Sequence, residues 1–109
     1  MDRFIDFMAR LEGVHLRQLP PLTTVLTWTK NSLYRIVVTE GSDVYVQGGA
    51  FFPNPTSAQL DGASMGGGLL KVGWIAVGLP MEIRVGGRRV VTSPVRAITT
   101  ERPGIPVFH

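Results

Sequence analysis

Cysteine is absent from this 109-residue chain, which excludes disulfides, thiolate catalysis and zinc sites built on cysteine. Histidine is scarce. His15 and His109 are the only two, and neither has a carboxylate at a sequence spacing suited to a metal site or a catalytic triad. Charged residues make up 17% of the chain against 44% hydrophobic, a balance that argues against disorder. No apolar run approaches the ~18 residues of a membrane-spanning helix. The N-terminus has no basic region followed by a continuous apolar core, so a signal peptide is not expected either. A chain without cysteine is compatible with a reducing cytoplasm, and that is the compartment we expect.

Catalytic signatures are also missing. Gly66-Gly67-Gly68 ahead of Lys71 lacks the GxxxxGK[ST] spacing, and a strand rather than a helix is expected to follow, so no oriented N–H groups await a phosphate. Ser32, Ser42, Ser57, Ser64 and Ser93 read as turn residues, with no G-x-S-x-G elbow around any of them. The carboxylates are scattered; Asp61 and Glu82 could meet only through the fold. The reading is of a non-enzyme with no cofactor.

The length fits one domain with a core that needs no staples. Residues 2–12 predict a short helix, with Phe4, Ile5, Met8 and Leu11 on one side and Gly13 as its stop. His15 to Pro21 is a connector stiffened by Pro20-Pro21. From Leu22 the composition turns to β: LTTVLTWTK, LYRIVVT and VYVQ are rich in threonine, valine and aromatics. A turn at Asn31-Ser32 would set Trp28 against Arg35, and the next turn would set Val37 against Val46. Gly48 to Pro55 reads as a loop whose Phe51 and Phe52 plug one end of the core or, if exposed, anchor a partner. Ser57 to Ser64 is a weak strand. Leu69 to Gly78, the most apolar run, reads as a central strand buried on both sides and bent at Gly73. The fold class expected is mainly β: an antiparallel barrel or roll of about seven strands over 22–99, one N-terminal helix, and an extended tail over 100–109.

Leu79 to Thr99 is the most defined stretch, and it carries four of the eleven basic residues. Gly86-Gly87 between two branched apolar runs predicts a two-residue hairpin, since the primed turns need φ > 0. That register sets Val85 against Arg88, Arg84 against Arg89 and Ile83 against Val90. A second tight turn at Ser93-Pro94 would bring Arg96 opposite Val91. Arg84, Arg89 and Arg96 would then cluster on the solvent side with Glu82 as the one nearby acid. An anionic partner would relieve their repulsion; the plain alternative is that the three side chains splay into water over apolar surface.

Net charge is +3, and its excess lies in the C-terminal part, where five arginines from Ile83 onward face Glu101 alone. Such a balance favours acidic partners. Two readings follow. The first is a protein-interaction or self-association module, with Phe51, Phe52, Val107 and Phe108 as apolar contacts and the arginine face as its polar contact. The second is a β-barrel for single-stranded nucleic acid, with the arginines at the phosphates and Trp28, Tyr34, Tyr45 or Trp74 as stacking platforms.

Overall fold

The computed structural model describes residues 12–101, and all ten of its regular extended segments are β-strands. In chain order they are β1 (Gly13–His15), β2 (Thr24–Thr29), β3 (Leu33–Val38), β4 (Asp43–Gly48), β5 (Phe52–Gly66), β6 (Leu69–Val72), β7 (Trp74–Ala76), β8 (Met81–Val85), β9 (Arg88–Val91) and β10 (Val95–Glu101). Every pairing is antiparallel. β1 pairs with β7, while the main sheet runs β10-β2-β3-β4-β5-β8-β9, with β6 added to β5.

Mainly β is therefore right, and the closed barrel is not. The path ends in β10 on one side and β9 on the other, and these two strands form no ladder. The reason lies at the second turn of the arginine stretch. Thr92 donates its N–H to the Met81 carbonyl at 3.0 Å and accepts the Met81 N–H on Oγ1 at 3.0 Å. Pro94 has no N–H with which to continue that ladder. Val95 then donates to the Leu79 carbonyl at 3.0 Å, and the chain passes on to pair β10 with β2. The sequence-expected pairing of Arg96 with Val91 does not form.

The helix expected over 2–12 lies outside the described residues except for Glu12, which is not helical. Among the described residues the one helical element is a 3₁₀ turn, Leu16–Gln18, inside the connector. None of them forms a helix long and apolar enough to cross a membrane. The tail beyond Glu101, with Val107 and Phe108, is likewise outside the described residues.

Three further expectations are corrected. The run Leu69 to Gly78 is not one buried strand. Gly73 takes φ 77, which an L side chain adopts only with strain, and the chain turns there between β6 and β7. Among the described residues β6 pairs with β5 alone and leaves Leu69 and Val72 exposed, whereas Ile75 of β7 is fully buried. The supposedly weak strand is the longest in the molecule, β5, which pairs with β4, β6 and β8.

The third correction is the register of the first hairpin. Thr29 donates its N–H to the Ser32 carbonyl at 2.8 Å and takes the Ser32 N–H on Oγ1 at 3.1 Å. This closes the turn over Lys30-Asn31, so Trp28 faces Leu33 rather than Arg35. In the next hairpin Val37 faces Tyr45, not Val46.

The core follows from strict alternation. Tyr34, Ile36 and Val38 of β3 point inward with Val44 and Val46 of β4, and they meet Ile83, Ile98 and Leu60 from the flanking strands. Phe52, 2% exposed, plugs this core, while Phe51 stands 62% exposed beside it. At such exposures Phe52 contributes its full transfer free energy, about 2–3 kcal/mol, and Phe51 does not.

Candidate binding face

The glycine hairpin forms in the expected register. Val85 pairs with Arg88, Arg84 with Arg89 and Ile83 with Val90, with φ of 54 and 85 at Gly86 and Gly87. Arg84 and Arg89 are thus brought side by side, but each has an acid of its own. Arg84 holds Asp61 in a two-pronged pair, Nη2 to Oδ1 at 2.8 Å and Nε to Oδ2 at 3.2 Å. Hydrogen bonding to Asp61, and then its charge, hold the Arg84 guanidinium protonated even above its ordinary range. Arg89 reaches Glu82 at 3.5 Å. Arg96 is not brought near either of them. Val95 faces Thr29 and Ala97 faces Trp28, so Arg96 is the extra residue of a bulge on β10, at the opposite end of the strand path.

The expected aromatic platforms divide in two. Tyr34 is buried in the core, and burial pushes its phenol pKa up, a Ser32 hydrogen bond offsetting part of that. Trp74 is half-buried and already engaged: Lys71 Nζ sits 4.3 Å over its ring and His15 packs edge-on at 5.4 Å. Trp28 and Tyr45, by contrast, project from the outer face of the main sheet, 37% and 49% exposed.

Register places these two rings in a definite relation. Trp28 on β2 faces Leu33, and Arg35 lies two residues further along β3. Arg35 faces Gln47 on β4, and Tyr45 lies two residues further along in the same sense. Tyr45 faces Ser57 on β5, and Gln59 is two residues beyond. The side chains Trp28, Arg35, Tyr45 and Gln59 therefore make a diagonal across four adjacent strands, with steps of roughly 8 Å. Exposed Leu33 and half-buried Leu26 and Val37 flank it. Arg35, Tyr45, Gln47 and Pro55 rim a shallow hollow of about 50 Å³. At its far end the diagonal opens into a basin of about 580 Å³ lined by Tyr45, Gln59, Arg84 and the Gly86-Gly87 turn, where Gln59 pairs with Arg84 and reaches Asp43 at 3.4 Å.

The chain matches no family model, no curated protein and no solved structure. The site must be read from its own chemistry. Among the described residues no three histidine or acidic side chains stand close enough together to hold a metal ion.

Arg35 is the residue that the sequence reading missed. Among the described residues it has no carboxylate partner, and it occupies the middle of the outer face. The signal was present: Arg35 alternates with buried Tyr34 and Ile36. Its place between Trp28 and Tyr45 became visible only once the second hairpin paired Val37 with Tyr45.

Proposed function

We propose that this chain is a non-enzymatic binding module that contacts another macromolecule through the outer face of β2–β5, in a cytoplasmic setting. The observation that supports this reading is the apolar and aromatic content of a face that stands open among the described residues. In an antiparallel sheet with one side on the core, the other side normally carries polar residues. Here Leu26, Trp28, Leu33, Val37 and Tyr45 occupy it, and large exposed apolar patches mark interaction surfaces. Aromatics and arginine are also the residues that carry most binding energy at interfaces. The charge at the centre of this reading is Arg35. Arg84 and Arg89 are each offset by an internal acid, and Arg96 stands at the margin beside Trp28.

The test is a panel of three binders: a single-stranded oligonucleotide, an acidic polypeptide, and a second copy of the chain followed by light scattering. Each is measured with the wild type and with Leu33→Glu, after circular dichroism has shown that the variant keeps its fold. Binding of any panel member that Leu33→Glu abolishes supports the reading. Binding that the substitution leaves unchanged, or no binding at all, overturns it.

A further inference from the structure

We infer that the partner of this face is single-stranded nucleic acid, laid along the diagonal with bases stacked on Trp28 and Tyr45 and a phosphate of the stretch between them at Arg35. The inference rests on the binding reading above and gives it a ligand class. Three features carry it. The first is the order of side chains: an exposed ring, a guanidinium and a second exposed ring succeed one another on adjacent strands. Stacking on an aromatic face is open to any base, while a cation between two rings meets the backbone charge of the stretch between the two stacked bases, which are separated by about one further nucleotide over two steps of roughly 8 Å.

The second feature is length. Three steps of roughly 8 Å carry the path from Trp28 to Gln59, enough for about four nucleotides, the small end of the site sizes found on single-strand-binding β folds. The third is charge along the path. Arg96 beside Trp28 and Arg35 at the centre supply two guanidiniums with no carboxylate partner among the described residues, while Arg84, paired with Asp61, lines the basin at the other end. Asp43 lies on the basin wall, where the Gln59 amide donates to it at 3.4 Å. A duplex would not satisfy this arrangement, because its bases are stacked on one another and withheld from the rings.

The full chain is titrated with a fluorescently labelled homopolymeric single-stranded oligonucleotide, with the same sequence as a duplex, and with polyglutamate, at several salt concentrations. Single strands are expected to bind and duplex to bind more weakly. With two guanidiniums at phosphates, log affinity should fall against log salt with a slope of about −1.4, and Arg35→Gln should reduce that slope by about 0.7. Trp28→Ala and Tyr45→Ala are each expected to weaken binding about tenfold or more. Trp28→Phe keeps a stacking ring, so it should bind within a few-fold of wild type while abolishing ligand-induced quenching of tryptophan fluorescence. That variant separates loss of stacking from loss of fold. Equal affinity for duplex, indifference to both alanine substitutions, or no binding at low salt overturns the inference. Polyglutamate binding lost in Leu33→Glu, with no oligonucleotide binding, would overturn the nucleic-acid inference while leaving the binding face intact.

Discussion

Arg84 and Asp61 are locked together across 23 residues of sequence by two hydrogen bonds, one of 2.8 Å and one of 3.2 Å. The pair joins β8 to the bulge of β5, where Leu60 faces Ile83 and Gly62 faces Glu82 with Asp61 between them. Bidentate geometry of this kind orients a guanidinium more than it stabilises a fold when the pair is exposed.

Asp61→Asn should therefore leave the melting temperature unchanged within error. It should raise affinity for a single-stranded oligonucleotide at low salt, because Arg84 then faces the basin without a neutralising acid. Anisotropy titration at two salt concentrations checks this, and a fall in affinity would mean that Asp61 is needed to aim Arg84.

Thr27 is fully buried on β2 between Ile98 and Tyr34, and its hydroxyl has no hydrogen-bond partner among the described residues. A buried unpaired hydroxyl costs about 1–3 kcal/mol. Thr27→Val preserves shape and removes that cost, so thermal unfolding should shift upward by about 5 °C for a domain of this size. A downward shift would show that the hydroxyl has a partner after all.

Gly73 turns the chain between β6 and β7 at φ 77, and a Cβ placed there would lie 3.1 Å from His15 Nε2. Gly73→Ala combines the left-handed penalty with displacement of the imidazole that packs on Trp74. Urea unfolding should record a loss of about 1–2 kcal/mol. Unchanged stability would show that the turn relaxes without cost.

Burial raises the Tyr34 pKa above 10.0. The folded state therefore holds this proton at pH values where the unfolded chain has released it. The stability this contributes is fully present below pH 10.0 and is lost as pH rises through the folded value. Tyr34→Phe should flatten the stability profile above pH 10.0, as followed by urea midpoints across that window. An unchanged alkaline slope would assign it to other groups.

These residues also show what the linear sequence discloses. The hairpin at Gly86-Gly87 was legible down to its cross-strand pairs, because two adjacent glycines between branched apolar runs admit one compact turn. Ser93-Pro94 was legible as a break but not as a destination. Where the chain goes next depends on Thr92 meeting Met81, a contact that no local pattern encodes. The first hairpin failed through a single threonine whose hydroxyl closes the turn one residue early. That error moved partners by two residues and kept Trp28 and Arg35 on one face; the one-residue slip in the next hairpin, Val37 against Val46 instead of Tyr45, put Tyr45 on the opposite face and hid the alignment of the three. The apolar run from Leu69 failed differently: burial depends on which strands lie alongside, and among the described residues β6 has β5 alone as a neighbour.

Among the described residues β9 ends the sheet, with Arg88 and Arg89 beside Val90 and Val91. A second molecule laying the same border alongside in parallel, in-register fashion, as fibrils commonly do, would oppose guanidinium to guanidinium. The border of the sheet thus deters fibre growth by the chain's own kind, and the arginines that first suggested a ligand serve there to keep the molecules apart.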